Sequence, residues 1–370
     1  MHLARLRLRD FRNYGRLDAE FAPGVHILLG ENAQGKTNLL EAIYLLATLR
    51  SFRGVGGAHL VRHEAAGYFV GATVVGQGAH EIRLYWSTRE RRVGLDGRAV
   101  RGLTEYLGTL RAVVFCSEDV MLVKGTGRVR RRFLDLLLAQ TETGYLPLLQ
   151  RYALALRSRN ALLRQPILDE AALEGFTREL VEAGQSIMRA RRELVPRLIP
   201  LAQAAHRRMS PEAETLNLEY RPHIRHDFRV ELAQSRARER SHRLTVVGPH
   251  RDELELLLDG KPAARFGSEG QKRALALALK MAQSEYLRTA HGSAPVLLID
   301  DVMGELDLKR RSGFIPLLDA AARGRGQVFL TCTEESWPRE LGIGATRWEV
   351  RQGALRPAPP QNIGESRCLA

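Results

Sequence analysis

Apolar and polar residues alternate near the start of the chain, which is the spacing of a strand that turns one face to a core. The alternating segment is Leu-Ala-Arg-Leu-Arg-Leu at 3–8, and residues 68–75 and 81–86 are further strand-like segments. A continuous apolar run at 25–29 ends in a glycine, and helical spacing of apolar residues follows over 36–49. This pattern predicts a strand, a glycine-bearing loop and a helix in direct succession, within a strand-rich region.

From about residue 128 to residue 243 helical spacing replaces the strand pattern. Apolar residues between Phe176 and Leu194 recur at three- and four-residue steps, which gives one narrow apolar stripe. Such a stripe suits a helical hairpin or arm. We therefore interpret residues 128–243 as an inserted helical lobe.

Strand signals return after the helical segment. The predicted elements are strands at 244–247, 253–258, 296–299 and 327–331, and a helix at 270–286 that is apolar on nearly every side and should be buried. The last stretch, 356–370, is proline-rich and aperiodic, which predicts a flexible tail. The predicted domain division is a core in two parts, 1–127 and 244–355, with the helical insertion 128–243 between them and the tail 356–370 after them.

Charge adds a prediction about partners. The 370 residues carry 56 Lys+Arg against 42 Asp+Glu, a net charge of +14, and segment 128–243 alone has 22 arginines against 14 acidic residues. A GC-rich genome explains the preference for arginine over lysine, but not the imbalance between basic and acidic residues. The excess favours a polyanionic partner such as nucleic acid.

Composition also narrows the cellular compartment. The three cysteines show no metal-binding spacing, which suits a reducing cytosol. Arg5, Arg7 and Arg9 leave no room for a signal-peptide core, and no uncharged run is long enough for a membrane helix. We expect a cytoplasmic protein with no membrane association.

Residues 30–37 fit G-x-x-x-x-G-K-[ST], the Walker A pattern. Its glycines let backbone N–H groups curl around phosphate oxygens, the following helix directs its positive end at them, and the lysine reaches the β- and γ-phosphates. The alternative, a chance glycine-rich turn, would not explain the order of strand, loop and helix. The candidate ATP-binding residues of this segment are Gly30, Glu31, Asn32, Ala33, Gln34, Gly35, Lys36, Thr37 and Asn38.

Two aspartates end the apolar strand 296–299. Asp300 stands where a Walker B acid holds Mg²⁺ together with Thr37, and Asp301 is the candidate catalytic residue that orients water. Without the Walker A motif upstream, Asp300 and Asp301 could equally be helix caps at the end of the strand. Asp300 lies much further from Lys36 than a compact nucleotide-binding domain requires, which supports an insertion between them.

A third motif precedes Asp300. Ser268, Gly270 and Gln271 open the predicted buried helix, offering a hydroxyl and N–H groups to an anion, although alone they would be an ordinary N-cap. The order is that of ABC-type ATPases, in which this signature acts in trans on nucleotide held by another subunit. Glu305 and Asp307 then occupy the position of the D-loop.

The chain resembles the RecF family, bacterial recombination-repair ATPases with an SMC-like head. The matching segments are Asp-Phe-Arg-Asn-Tyr at 10–14, Gly-Glu-Asn-Ala-Gln-Gly-Lys-Thr-Asn at 30–38, Glu-Asp at 118–119, Arg-Arg-Phe-Leu-Asp at 131–135, Arg-Asn-Ala-Leu-Leu at 159–163, Val-Gly-Pro-His-Arg-Asp at 247–252, the Ser268 signature, and Asp-Asp-Val with Glu-Leu-Asp at 300–307.

The resemblance implies an α/β fold, an ABC-type (SMC-like) P-loop ATPase head with an inserted helical lobe. It implies ATP and Mg²⁺ as cofactors, with Arg12 and Asn13 near the nucleotide, although either is as well a solvated strand end. It further implies an ATP-induced homodimer that binds DNA without reading sequence, at gapped or ss/dsDNA junctions. Weak, DNA-stimulated ATP hydrolysis would release the DNA, and RecR and RecO would be partners in loading RecA.

Two arginine clusters are candidates for contacting DNA phosphates, although charge runs are usually solvated faces. They comprise Arg128, Arg130, Arg131, Arg132, Arg236, Arg238 and Arg240.

Other functions remain open on sequence alone. A transporter ATPase subunit would need a switch histidine after the last strand, where this chain has Cys332 and Thr333. Another SMC-like head would need a longer insertion or a zinc hook. The third alternative is a DNA-binding scaffold in which ATP is structural and turnover is negligible.

Overall fold

A computed structural model describes residues 1–210, 214–323, 326–333 and 344–358. The strands are β1 (His2–Phe11), β2 (Tyr14–Glu20), β3 (Gly24–Leu29), β4 (Gly67–Val75), β5 (Ala79–Ser87), β6 (Arg91–Leu95), β7 (Arg98–Ala99), β8 (Ala112–Phe115), β9 (Leu216–Arg221), β10 (Glu253–Leu258), β11 (Lys261–Pro262), β12 (Val296–Asp300), β13 (Gln327–Cys332), β14 (Thr346–Arg351) and β15 (Ala354–Pro357). The helices are α1 (Lys36–Thr48), α2 (Leu103–Tyr106), α3 (Met121–Lys124), α4 (Gly127–Thr141), α5 (Tyr145–Leu162), α6 (Glu170–Met209), α7 (Phe228–Gln234), α8 (Arg236–His242), α9 (Ala263–Phe266), α10 (Glu269–His291) and α11 (Leu308–Ala322).

The chain forms two compact units. Unit 1 contains Met1–Arg101, Thr109–Ser117 and the chain from Ser293 onward, and unit 2 contains Gly102–Gly108 and Glu118–Gly292. These contact-based units have other boundaries than the predicted segments, because α10 and β10 belong to the same unit as the helical segment. The predicted functional division at residues 127 and 243 stays a prediction.

The first sheet of unit 1 has the order β15-β14-β3-β13-β12-β8, and β14, β3, β13, β12 and β8 run parallel. In its register Cys332 lies opposite Leu29 and Thr331 opposite Asp300. The carboxyl ends of β3 and β12 therefore meet at one edge, where ligands of open α/β sheets bind.

The second sheet of unit 1 is antiparallel, in the order β2-β1-β4-β5-β6-β7. The predicted alternation is confirmed, since Leu3, Leu6 and Leu8 on β1 are buried while Arg5 and Arg9 face solvent. Strand β2 was not predicted from the sequence.

Unit 2 is mainly helical, as predicted for most of residues 128–243. Its longest element, α6, has 40 residues and contains Pro196 and Pro200, and it packs against α5 and α10. The helix predicted at 270–286 is α10, and its buried core from Ala274 to Ser284 confirms the expectation.

Two local predictions are wrong. Residues 244–247 form no strand, because the N–H of Thr245 donates to the side chain of Asn160 at 2.7 Å instead of to a strand partner. Arg356 and Pro357, assigned to the tail, belong to β15, where they pair with Glu349 and Trp348 of β14. The rest of the predicted tail, 359–370, lies outside the described residues.

Among the described residues no helix is long and apolar enough to cross a membrane.

Candidate nucleotide-binding site

The predicted Walker A loop joins β3 to α1, as the sequence pattern required. Gly35 precedes the helix with φ 118°, and Gly30 has φ 153°, conformations that side chains rarely adopt. A Cβ at Gly30 would lie 2.4 Å from the carbonyl oxygen of Val350, so both the conformation and the space require glycine. The first N–H groups of α1 are directed into the loop, where they can receive an anion.

Lys36 lies folded over this loop. Its Nζ donates to the carbonyl oxygens of Gly30 at 2.5 Å and Glu31 at 2.9 Å. Burial lowers the pKa of Lys36, while Asp301 and Cys332 oppose that shift. The part of the chain that the structure describes gives Lys36 no ion pair, and its hydrogen bonds there go to carbonyl oxygens. A phosphate is a stronger partner for this ammonium group than either carbonyl.

Thr37, in the first turn of α1, lies in contact with Asp300, at the end of β12. The hydroxyl of Thr37 donates to the Asp300 carboxylate at 2.8 Å, and the hydroxyl of Thr331 donates to the same oxygen at 3.0 Å. Burial raises the pKa of Asp300, and the two hydroxyl hydrogen bonds work against the shift. Hydroxyl and carboxylate oxygens are ligands that Mg²⁺ accepts, so this pair fits the cation expected beside a nucleotide phosphate.

Asp301 follows in a left-handed conformation, with φ 56°. Its N–H donates to the Thr331 hydroxyl at 2.9 Å, and its exposed carboxylate lies close enough to Lys36 to act on the pKa of that group. The structure therefore places the candidate catalytic acid beside the Walker A lysine, with its backbone held by β13.

The two D-loop candidates have structural partners in unit 1. Glu305 accepts a hydrogen bond from Ser117 at 2.5 Å, and Asp307 caps α11 by accepting from the N–H of Arg310 at 2.9 Å. A cap of this kind suffices to explain Asp307 in this position.

Arg12 and Asn13 have different roles. The Asn13 amide donates to the carbonyl oxygen of Gln34 at 2.8 Å and accepts from Asn38 at 2.9 Å, so it touches the Walker A loop. The Arg12 guanidinium instead pairs with the buried carboxylate of Glu41, at 2.8 and 3.0 Å. Arg12 is therefore held behind the loop by Glu41 in this structure, and its predicted place near the nucleotide stays a prediction.

Sequence reasoning missed four contributors to the site. Thr331 is identified only by strand register, and Arg53 only by its proximity to Asp300, whose pKa it lowers. Gln352 and Gly353 form the turn between β14 and β15 and touch Gln34. Gln-Gly is not one of the dipeptides typical of two-residue hairpins, so no strong sequence signal marks this turn or its contact.

The signature residues lie in unit 2, at the start of α10. Ser268 and Gln271 form a capping box, with side-chain to backbone distances of 3.2 and 2.6 Å, and Gln271 also donates to Glu214 at 2.5 Å. Ser268 is exposed and Gly270 half-buried. The capping box agrees with the interpretation of Ser268 as an ordinary N-cap. It leaves the N-terminus of α10 open to solvent.

Among the DNA candidates Arg130 is buried, and it is bound to Glu253 at 2.6 and 2.9 Å and to the carbonyl oxygen of Gly125 at 2.8 Å. These partners occupy its guanidinium in the structure, and the predicted DNA contact of Arg130 stays a prediction. Arg131 is half-buried and donates to the carbonyl oxygen of Asp252 at 2.5 Å, and Arg236 and Arg240 pair with Glu170. The candidates that are exposed and form no ion pair with a described residue are Arg128, Arg132 and Arg238.

Comparisons with known proteins agree with this geometry. The family model described as RecF/RecN/SMC N terminal domain matches residues 2–341. A protein named DNA replication and repair protein RecF from Synechococcus sp. (strain JA-2-3B'a(2-13)) is 42% identical, over 97% of this chain and 98% of the relative. Its namesake from Symbiobacterium thermophilum is 38% identical, over 96% and 98%. The chain belongs to the RecF family.

Solved structures extend the family assignment to the fold. The structure of a recombination mediator protein, RecF-ATPrS in the RecFOR pathway, has a TM-score of 0.87 at 29% identity, over 97% of this chain and 98% of the other. An Smc head domain from Pyrococcus furiosus has a TM-score of 0.58 at 16% identity, over 96% of both chains, and shows the fold alone. The predicted fold class, an ABC-type, SMC-like ATPase head, is confirmed.

Proposed function

We propose that this protein is an ATP-dependent DNA-binding protein of recombinational repair and replication. The observation that carries the proposal is the contact of Thr37 with Asp300 at 2.8 Å beside Lys36, whose hydrogen bonds among the described residues go to loop carbonyls. That combination offers a cation ligand pair and a lysine without an ion pair to a described residue, at the positive end of α1. Among family members, structures described as RecF-ATP and RecF-ATPrS support ATP as the nucleotide.

Each residue of the site has a defined task in this proposal. Backbone N–H groups of the loop bind the phosphates, and Lys36 leaves the carbonyls of Gly30 and Glu31 for the β- and γ-phosphates. Thr37 and Asp300 would hold Mg²⁺, which would supply positive charge beside the phosphates. Asp301 orients the attacking water, and Thr331 fixes the backbone from which it projects.

A second copy of the chain completes the active state. The exposed hydroxyl of Ser268 and the N-terminus of α10 would bind the γ-phosphate held by the partner copy, which gives a symmetric dimer with two nucleotides between its subunits. ATP favours that dimer only through its higher affinity for the dimeric state. The dimer would hold DNA by its backbone, and slow hydrolysis would release it.

The cellular role rests on relatives. Their names place them in DNA replication and repair, and a RecF structure is described as a mediator in the RecFOR pathway. We propose the same pathway for this chain, with RecO and RecR as partners and RecA as the protein that is finally loaded.

Nucleotide titration of matched lysine variants tests the proposal. Lys36→Met should weaken ATP binding at least about tenfold, because a charge-assisted contact is lost. Lys309→Met, an exposed lysine of α11, should leave ATP affinity unchanged. Ser268→Arg should retain ATP binding and lose ATP-dependent dimerisation in sedimentation. Wild-type protein that binds no ATP, or Ser268→Arg that dimerises normally, would contradict the corresponding step.

One observation favours the scaffold alternative. Strand β13 ends in Cys332, where burial raises the pKa of the thiol to about 12, so this residue stays protonated and cannot act as a base. No histidine occupies this end of β13. Single-turnover hydrolysis, measured with and without DNA, separates slow catalysis from a structural role of ATP.

A further inference from the structure

The turn between β14 and β15 lies directly against the Walker A loop. The N–H of Gly353 donates to the backbone carbonyl oxygen of Gln34 at 3.0 Å, and the N–H of Gln352 donates to the side-chain oxygen of the same residue at 2.8 Å. Gln34 is thus held by both residues of one hairpin turn, more than 300 positions later in the sequence. No motif of the loop itself requires this hairpin.

Two glycines allow the hairpin to approach so closely. A Cβ at Gly353 would lie 2.3 Å from the carbonyl oxygen of Asn13, and a Cβ at Gly30 would lie 2.4 Å from the carbonyl oxygen of Val350. Both distances are far inside van der Waals contact, and the opposing atoms are backbone. The β1–β2 turn, the Walker A loop and the β14–β15 hairpin therefore interlock at backbone level.

These contacts fix the orientation of one peptide unit. The Gln34 carbonyl accepts from Gly353 N–H and also from the Asn13 amide at 2.8 Å. In a planar trans peptide the C=O and the following N–H point in opposite directions. Holding the Gln34 carbonyl from outside the loop consequently directs the N–H of Gly35 into it, where a phosphate would be bound.

We propose that the Gln352–Gly353 turn is a positioning element of the nucleotide site, which acts through Gln34 to aim the Gly35 N–H at a phosphate. The proposal rests on the function proposed above and adds residues that the Walker motifs do not contain. Because the donor it orients belongs to the loop, the effect concerns any nucleotide that the loop holds by its phosphates. ATP and ADP should therefore be affected alike, unlike changes at Ser268, which concern the γ-phosphate alone.

The chain contains a matched control turn. Asp96 and Gly97, between β6 and β7, have φ 50° and 80°, and Gln352 and Gly353 have φ 47° and 75°. The two turns have closely similar φ angles, but no atom outside the adjoining residues lies within 4 Å of a Cβ at Gly97. We therefore expect a similar conformational cost for alanine in both turns, and only at Gly353 does the added carbon meet the site.

The first experiment compares Gly353→Ala with Gly97→Ala. We expect Gly353→Ala to weaken ATP and ADP binding by about the same factor, roughly tenfold, since one oriented donor to a charged group is lost. Gly97→Ala should bind both nucleotides like the wild type. Wild-type affinities in Gly353→Ala would overturn the proposal, as would a loss confined to ATP.

A second measurement needs no variant. Binding energy shared between the loop and the hairpin is reciprocal, so nucleotide should slow amide hydrogen exchange in a peptide covering 349–356 but not in one covering 94–99. Unchanged exchange at 349–356 on saturation with ADP would overturn the proposal even if Gly353→Ala failed to fold.

The two proposals fail separately. If neither the wild type nor any variant binds nucleotide, the proposed function is wrong. If the wild type binds ATP, Lys36→Met does not, and Gly353→Ala binds like the wild type, only the positioning role is wrong.

Discussion

Lys36 of unit 1 and the buried arginines of unit 2 have opposite surroundings. Among the described residues Lys36 hydrogen-bonds only to carbonyl oxygens, and the loop around it is shaped by glycines and backbone hydrogen bonds. In unit 2, Arg159 is 1% exposed and bound at 2.7 and 2.6 Å to Glu239, which is fully buried, and also reaches Thr177 and Thr245. Arg191 is similarly bound to Asp135 and Asp252.

This contrast explains which sequence signals were informative. The Walker A motif predicted the nucleotide-binding loop because its residues are consecutive and form that loop by themselves. The arginine excess did not indicate which arginines could contact DNA, because an arginine such as Arg130 is neutralised by Glu253, 123 positions away. Total charge therefore indicates a class of partner, whereas pairing decides which of the charges are available to it.

The largest effect is expected where one member of a buried pair is removed. Arg159→Met should lower the free energy of unfolding by about 3–5 kcal/mol, because Glu239 is left charged and buried. Arg157→Met, an exposed arginine on the same helix, should change it by less than about 0.5 kcal/mol. Urea denaturation measures both. The double variant Arg159→Met/Glu239→Leu should recover much of the loss, and a single variant as stable as the wild type would refute the contrast.

In unit 1 the expected loss is one of binding and not of stability. Asp300→Asn should reduce Mg²⁺-dependent ATP affinity by about tenfold or more, because an anionic ligand becomes neutral. The exposed Asp319→Asn serves as the control.

The direction of the pKa shift of Asp300 decides how stability and Mg²⁺ affinity change with pH. Burial raises the pKa of Asp300, so its stabilising contribution is present in acid and lost as the pH rises through the folded-state value. At pH 7 Asp300→Asn should therefore not lower the melting temperature of the nucleotide-free protein. Wild-type Mg²⁺-dependent affinity should fall on acidification at a higher pH than an ordinary aspartate would give. A variant that melts well below the wild type would show that Asp300 is structural.

The smallest effects belong to the exposed arginines. Arg132→Ala should weaken DNA binding several-fold and reduce the slope of log affinity against log salt by about 1, if Arg132 neutralises one phosphate. Arg240→Ala, which removes an arginine paired with Glu170, should give a smaller change. Filter binding at several salt concentrations measures both variants. Equal losses of DNA affinity would show that ion pairing with a glutamate does not decide which arginines bind DNA.

The fold was predictable where one element carries its own signal. Strands β1, β3 and β12, helix α1 and the Walker A loop follow from period and glycine placement alone. Strand β2 was missed because Gly15 and three charged residues hide the two buried positions Tyr14 and Leu17. The wrong strand at 244–247 has the right composition, but Asn160 supplies the hydrogen bond that a neighbouring strand would have made.

The site divides in the same way. Lys36, Thr37 and Asp300 were found from motifs, whereas Thr331, Glu41 and the Gln352–Gly353 turn are contributed by segments that the fold alone brings close. Strand register and backbone contacts of long sequence separation are not written in local patterns. For the same reason the pairing of Arg12 with Glu41 was not predicted, although the family resemblance implied that Arg12 lies near the nucleotide.

Helix α6 has a mechanical consequence. At 1.5 Å per residue its 40 residues span about 60 Å, and Pro196 and Pro200 stand one turn apart within it. Neither proline has an N–H, so the carbonyls of Arg192 and Pro196 lack their helical donors, and a bend there strains fewer hydrogen bonds than elsewhere in the helix. We therefore expect the first 22 residues of α6 to be its stiffer part. A load applied along the helix should bend it first between Arg192 and Pro200.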